Sequence, residues 1–198
     1  MAQSNMTELD AVNQMLLSIG EQKVNTLESS GVLEVDVAKE TLRNTSREVQ
    51  GEGWHFNTEH RVVLMPDQDG FIALPGNVMN VWQHERMLPV VMQRGNQLYN
   101  MTKHTFRFES PEVVSILYCH DFNELIPTAR VYITHRASRI FQENTSGSTV
   151  AEEFILRREA QARIQLEAAD ARDAGYNVLW DNRNGRNACL RDRVPYVW

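Results

Sequence analysis

The stretch QGEGWHFNTE at residues 50–59 separates two hydrophobic patterns, and this change of period limits the folds the chain can adopt. Before it, apolar residues recur at spacings of three and four. After it, every second residue from Trp54 to Leu64 is bulky or apolar. A three-four spacing indicates an amphipathic helix, and a spacing of two indicates a strand. The sequence therefore predicts a helix that ends near residue 50 and a strand that begins at Trp54, with Phe56 on the same face.

Gly51 and Gly53 lie at this boundary and admit two interpretations. A phosphate-cradling glycine loop follows a strand and opens a helix, but here the order is reversed. Glycine is also the residue that most often ends a helix, because it adopts positive φ at little cost. We therefore predict that both glycines end the helix. Together with Trp54 and Phe56 they form a predicted structural hinge, where the strand region is anchored to the helices.

Four helices are predicted on either side of the strand region. Thr7 and Asp10 have the spacing of a capping box at the start of the first helix, and Gly20 ends it. The second helix begins near Glu34, and the third begins at Pro127, a residue suited to a first helical turn. The fourth runs from about residue 149 to 174. An apolar seam of the second helix consists of Val35, Ala38, Leu42, Thr45 and Val49.

The resulting fold class is α+β: a discontinuous helical bundle with an inserted β-rich region and an extended C-terminal tail. The bundle is predicted from residues 1–53 and 123–175. The inserted region covers residues 54–122, where VVMQRGNQLY reads as a hairpin around Gly95 and Asn96. Residues 176–198 form the C-terminal extension.

The last helix carries two apolar stripes, and one chain needs to cover only one of them. The first stripe contains Val150, Phe154, Leu156, Ala160, Ile164, Ala168 and Ala171. We expect it to face the core of its own bundle. The second stripe is a candidate subunit interface, formed by Ile155, Ala162, Leu166 and Ala169. The alternative is a central helix covered on both sides within one bundle.

The segment after Gly175 is rich in arginine and ends in aromatic residues. A segment of this kind is either a solvated terminus or a tail that orders when it docks on a partner. Because large aromatic rings are costly to leave in water, docking is the favoured hypothesis. The candidate contacts with a partner protein or a neighbouring copy are Trp180, Arg183, Arg186, Arg191, Arg193, Tyr196 and Trp198.

No constellation of catalytic or cofactor-binding residues is visible in the sequence. Cys119 and Cys189 are the only cysteines, and neither belongs to a CxxC pair. The six histidines are dispersed, and the DQDG segment at 67–70 lacks the glutamate of a calcium loop. We therefore expect no cofactor, no metal and no enzymatic activity. We also expect no membrane span and no secretion signal, and thus a soluble protein made inside the cell.

Four segments, taken in order, resemble tail tubular protein A, the head-to-tail adaptor family of short-tailed bacteriophages. They are AVNQMLLSIGEQKVNTLE, LRNTSREVQGEGWHFNTE, IPTARVYITHRASRIFQ and GYNVLWD. The resemblance covers most of residues 7–181, with a looser match between Pro66 and Ser110. The Arg-rich tail beyond Asp181 departs from the family pattern, so the resemblance does not indicate its partner.

This resemblance implies a virion structural protein at the head-tail junction. It would form a dodecameric ring that binds the portal protein, receives a nozzle similar to tail tubular protein B, and extends the DNA channel. The net charge of −6 agrees with a channel through which DNA passes without specific binding. The alternative is a virion-associated polysaccharide hydrolase or glycan-binding protein, with sugars stacked on Trp82, Tyr99 or Trp180. Its candidate acids would be Asp67, Asp69 and Asp121, which lie at predicted turns.

Overall fold

A computed structural model describes residues 6–28, 33–83, 90–145 and 149–173, the last range without the side chains of 149–154. Within these ranges the chain forms four α-helices: α1 (Glu8–Ser18), α2 (Leu33–Gly51), α3 (Pro127–Thr145) and α4 (Thr149–Asp173). Five strands lie between α2 and α3: β1 (Thr58–Leu64), β2 (Val78–Trp82), β3 (Val91–Arg94), β4 (Gln97–Asn100) and β5 (Glu112–Tyr118). The predicted α+β class with four helices is therefore confirmed.

Helix α1 begins and ends as its sequence predicts. Thr7 accepts a hydrogen bond from the Asp10 backbone N–H (3.2 Å), and the Asp10 carboxylate accepts one from the Thr7 backbone N–H (2.9 Å). This reciprocal capping box pairs backbone donors that the first helical turn would otherwise leave unpaired. Gly20 follows the helix with φ +85°. The seam of α2 is also confirmed, since all five of its predicted residues are buried.

The helices enclose one apolar core with α3 at its centre. Helix α3 packs against α1, α2 and α4. Ala129, Ile133, Ala137 and Phe141 of α3 are buried, as their spacing predicts, while Ile140 is half-buried. No helix in the described ranges is long and apolar enough to cross a membrane.

The strands form a second, separate core. Strands β1, β5 and β2 make an antiparallel sheet in that order, and β3 and β4 make the predicted hairpin. The buried members of this core are Ile72, Leu74, Val78, Val81, Val91, Leu98, Phe108, Val114 and Ile116.

The predicted strand at Trp54 begins four residues later, and its alternation is interrupted. Residues His55–Asn57 form a 3-10 turn, so β1 starts at Thr58. A bulge between Glu59 and Val62 then shifts the register, with Arg61 at φ +59°. A bulge adds one residue and exchanges the two faces of the strand beyond it. The prediction of one continuous face from Trp54 to Leu64 was therefore wrong.

Candidate functional site

Trp54 belongs to the helical core rather than to the sheet. Its ring is 7% exposed and packs with the buried residues of α1, α2 and α3. Its indole N–H donates to the carbonyl of Val49 at 2.7 Å, two residues before the end of α2. Phe56 is half-buried against the same core. The side chains that follow α2 therefore hold the start of the inserted region on the bundle.

The two glycines at this junction have different conformations. Gly51 is the last residue of α2, and its missing side chain faces the Met79 methyl, which lies 3.5 Å from an ideal Cβ position. Gly53 has φ +80°, and its N–H donates to the Gln50 carbonyl at 3.2 Å. Gly53 thus holds the left-handed position that turns the chain after a helix.

Two buried amides connect the junction to the far end of the inserted region. Gln50 is fully buried; its Nε2 donates to the His120 carbonyl at 3.0 Å, and its Oε1 accepts from the His120 backbone N–H at 2.7 Å. Asn57 is 1% exposed; its Nδ2 donates to the carbonyls of Gln50 and Tyr118, both at 2.9 Å, and its Oδ1 accepts from the Trp54 N–H at 3.0 Å. We call Gln50 and Asn57 the amide clasp.

Sequence reasoning missed the amide clasp. The predicted strand from Trp54 would place Asn57 on the face opposite Trp54, and the predicted helix ends near Gln50. One signal was available in the sequence: Gln50 lies four residues, about one helical turn, after Ser46, and directly follows Val49 of the predicted seam. The clasp joins both ends of the insertion, so the segment predicted as a hinge is a fixed junction. Buried and fully paired polar groups favour one arrangement over others.

An ionic network joins α4 to α2 and α3 beside this junction. The Arg163 guanidinium lies 2.8 Å from Glu52 and 3.1 Å from the Tyr132 hydroxyl, and 5.2 Å above the Trp54 ring. Hydrogen bonds to Glu167, Tyr132 and Glu52 raise the pKa of Arg163 above its ordinary value. The guanidinium is therefore a permanent cation that fixes α4 on the bundle.

Helix α4 faces the opposite way from the prediction. Ala162, Leu166 and Ala169, predicted to contact a neighbouring subunit, are 4%, 0% and 5% exposed because they pack inside the same chain. Ile155, the fourth member of that stripe, is half-buried. The first stripe, predicted to face the core, instead exposes Leu156 at 53% and Ile164 at 65%, and Ala160, Ala168 and Ala171 are also exposed.

The physical reason for this reversal lies in the polar contacts between α3 and α4. The partners that α3 offers lie on the same side of α4 as Ala162 and Leu166. Arg139 of α3 meets Glu159 of α4 at 2.6 Å, and Arg163 meets Tyr132. Of the predicted subunit interface, Ala162, Leu166 and Ala169 are therefore buried within the chain, and Ile155 is half-buried.

A cleft of about 430 Å³ opens where the bundle meets the sheet. Trp82, His60 and Asn80 line it beside the Gly51–Trp54 segment. The imidazole of His60 lies 6.5 Å from the indole of Trp82 in an edge-to-face arrangement. Of the predicted sugar-stacking residues, Trp82 lines this cleft, whereas Tyr99 is buried beneath Arg94.

The other polar residues considered from the sequence do not form a reactive site among the described residues. Asp67 Oδ1 accepts from the backbone N–H groups of Asp69 and Phe71, so this carboxylate closes a turn. Burial raises the pKa of the Cys119 thiol, which opposes thiolate chemistry. Among the described residues no group of three or more His, Cys, Asp or Glu side chains could hold a metal ion.

The predicted tail contacts lie outside the described residues, at Trp180, Arg183, Arg186, Arg191, Arg193, Tyr196 and Trp198.

Comparison with known proteins places this fold in a class. A family model described as "Tail tubular protein" matches residues 9–176. The match covers most of the chain, so the protein belongs to the tail tubular protein family, a family of bacteriophage tail structural proteins. The chain is also similar to tail tubular protein A of Klebsiella phage KP34, with 28% identity over 145 residues, which cover 73% of this chain and 76% of that relative. The protein is accordingly a structural component of a phage virion tail.

Proposed function

We propose that the protein is the head-to-tail adaptor of its virion. Copies of the chain form a ring between the portal and the tail nozzle, and the ring extends the channel through which the genome is retained and ejected. The expected ring is a dodecamer, and the nozzle partner is a protein similar to tail tubular protein B. DNA passes through the ring without specific binding.

The observation that carries this proposal is the outer face of α4. Within one chain the helix already buries Ala162 and Leu166, yet Leu156 and Ile164 extend apolar surface on its opposite side. A surface helix of a monomer needs one apolar face. A second apolar face is typical of a subunit in an assembly.

Two further observations support the channel and its partners. The chain has 26 acidic and 20 basic residues among 198, a balance that does not favour tight electrostatic binding of DNA. The amide clasp fixes the sheet on the bundle, so each copy would present both parts to its neighbours in one arrangement. A stiff subunit reduces the ordering cost of assembly.

Sedimentation velocity of the full chain, alone and mixed with portal rings from the same virus, tests the proposal. We expect a larger particle of defined size in the mixture. A matched full-length variant tests the tail, with all four of its candidate arginines changed to alanine: Arg183, Arg186, Arg191 and Arg193. It should retain helical structure and lose affinity for the portal. Intact portal rings that fail to recruit the wild-type chain would exclude the adaptor role.

Glycan binding is a second candidate function, and the cleft at Trp82 favours it. An aromatic ring beside Asn80, His60 and Thr58 combines an apolar surface with hydrogen-bonding groups, as ligand sites do. A Trp82→Ala variant should then lose binding to host surface polysaccharide. Double replacement of Asp67 and Asp69 by asparagine should leave any glycan cleavage unchanged, because Asp67 is used in the turn.

A further inference from the structure

Helix α4 ends on the side of the bundle where the sheet is attached. Arg139 of α3 meets Glu159 of α4 at 2.6 Å. Tyr132, earlier in α3, meets Arg163, later in α4, at 3.1 Å. The two helices are therefore antiparallel. Because α3 begins at Pro127, shortly after the last strand, α4 ends beside the sheet.

Two residues that line the cleft between bundle and sheet, here called the junction cleft, also contact α4. Glu52 lies 2.8 Å from Arg163, and the His55 backbone N–H donates to Asp170 at 2.6 Å. Helix α4 ends at Asp173, about 4.5 Å beyond Asp170 at a rise of 1.5 Å per residue. The chain that follows α4 therefore starts beside the wall of this cleft.

The junction cleft lies on the outer face of the three-stranded sheet. Trp82 of β2 pairs with Ser115 of β5, and paired residues of antiparallel strands have their side chains on one face. Leu117, two residues after Ser115, shares that face and lines the cleft. Ile116 faces the other way, into the core of the strands. Trp82 is half-buried and His60 is exposed, so both rings are accessible from the cleft.

The junction cleft has the chemistry to receive a tryptophan side chain. Its volume is about 430 Å³, and the rings of Trp82 and His60 stand edge-to-face in its wall. Aromatic rings pack well against one another in edge-to-face or offset geometry. Asn80 and Thr58 add polar groups to the same lining. A tryptophan combines a large apolar ring with an N–H donor, so it matches both kinds of surface.

The segment after α4 carries such a side chain within reach of the cleft. Residues 176–180 read YNVLW, and Trp180 lies seven positions beyond Asp173. An extended chain spans at most about 3.6 Å per residue, so seven residues reach at most about 25 Å. A short tether also gives the segment an effective concentration on the order of 1 mM at its site. A weak contact is therefore sufficient to fill the cleft.

We infer that residues 176–180 dock in the junction cleft of their own chain, with the Trp180 indole against Trp82 and His60. This contact divides the C-terminal extension into a docked apolar part and a basic part, residues 183–193, that stays available to a partner. The inference goes beyond the adaptor function and does not rest on it, because the contact lies within one chain. A docked segment covers Trp82, so it excludes a glycan from the same cleft.

Hydroxyl-radical footprinting of the full chain, read by mass spectrometry, measures the accessibility of the Trp82 side chain. If the contact alone has a dissociation constant of about 0.3 mM, the tethered segment covers the cleft about three-quarters of the time. Trp180→Ala should then raise the oxidation of Trp82 about four-fold. Trp198→Ala is the matched control, since it removes the same side chain farther along the extension, and it should leave Trp82 oxidation unchanged. Circular dichroism shows that each variant is folded.

Cross-linking distinguishes the chain's own segment from that of another copy. Cys119 and Cys189 are replaced by serine, and Asn80→Cys and Asn177→Cys are introduced for a short bismaleimide. We expect an internally linked product with the mass of one chain. In the control, Val37→Cys replaces Asn80→Cys; this position is about 21 Å before the end of α2 and should give little product.

Three results would overturn the docked segment. The first is equal oxidation of Trp82 in the wild type and in Trp180→Ala; protection of Trp82 by added host polysaccharide would then identify the cleft as a glycan site. The second is an equal rise in oxidation for Trp198→Ala. The third is a cross-linked product with twice the mass of the chain, or none at all, since the former would mean that a second copy fills the cleft. Failure to bind portal rings would refute the adaptor function alone, because both measurements are made without portal.

Discussion

Replacement of Trp54 by alanine should destabilise the chain more than most single substitutions. The ring is 7% exposed within the helical core, and truncation of a large buried aromatic costs about 3–5 kcal/mol. Loss of the cation–π contact with the Arg163 guanidinium, which lies 5.2 Å above the ring, adds about 0.5–1 kcal/mol. The lost indole hydrogen bond adds about 0.5 kcal/mol, because the Glu52 N–H also donates to the Val49 carbonyl and leaves it partnered.

The sum, about 4–6 kcal/mol, is a large part of the 5–15 kcal/mol by which a typical domain is stable. Urea unfolding followed by far-UV circular dichroism measures the loss. With a slope of about 3 kcal/mol per molar, the midpoint should fall by about 1.5 M. The Trp54→Phe variant keeps an aromatic ring in the core and should lose less than half as much. We therefore expect the Trp54→Ala protein to be insoluble or to fail to assemble.

The reasoning is refuted if the Trp54→Ala midpoint falls by less than about 0.3 M, a change that corresponds to an exposed side chain. Equal losses for Trp54→Ala and Trp54→Phe would show that the indole hydrogen bond, and not the packing of the ring, stabilises the junction.

Three other predictions use neighbouring residues as controls for each other. Leu166→Ala should lower the free energy of unfolding by about 2–5 kcal/mol and Ile164→Ala by less than about 0.5 kcal/mol, because Leu166 is fully buried and Ile164 is 65% exposed. Equal losses for the two variants in urea titrations would contradict the orientation of α4. Gly53→Ala should destabilise the chain by about 1–2 kcal/mol because Gly53 has φ +80°, whereas Gly51→Ala should be neutral or stabilising because Gly51 is helical and an added Cβ meets only the Met79 methyl at ordinary distance. A higher thermal midpoint for Gly53→Ala than for Gly51→Ala would exclude the helix end described here. The capping-box hydrogen bonds to Thr7 lower the pKa of Asp10, so the stability they provide is present above the ordinary carboxyl pKa and is lost as pH falls through the lowered pKa. Asp10→Asn should therefore reduce the loss of stability at acidic pH, and an unchanged curve of unfolding free energy against pH would refute the coupling.

The sequence predicts the helices well because local chemistry determines their ends. The capping box of α1, Gly20 after it and the proline at the start of α3 are each sufficient signals within a few residues. The hairpin at Gly95 is equally local. The predicted start of β1 was wrong because Trp54 packs in the helical core. An alternating pattern within the segment does not reveal this contact. The bulge at Arg61 is likewise set by pairing with β5, about 50 residues away along the chain.

The candidate site shows the same division between local and distant causes. Gln50 and Asn57 are ordinary polar residues in the sequence, and their importance comes from carbonyls of His120 and Tyr118 that only the fold brings to them. The two stripes of α4 have the same period, so periodicity alone could not decide which faces inward. Contacts with α3 decided it: Glu159 pairs with Arg139 and Arg163 donates to Tyr132.

The fixed junction and the two-faced helix have a joint consequence for assembly. Asp170 near the end of α4 accepts from the His55 backbone N–H at 2.6 Å, next to Trp54 and the amide clasp. Helix α4 therefore contacts the entry to the inserted region on one side and exposes Ile164 on another. Because these contacts share one short helix segment, a neighbour that packs on α4 would also restrict the position of the sheet. In the proposed ring, the orientation of every inserted region would thus be set by the same helix that joins adjacent copies.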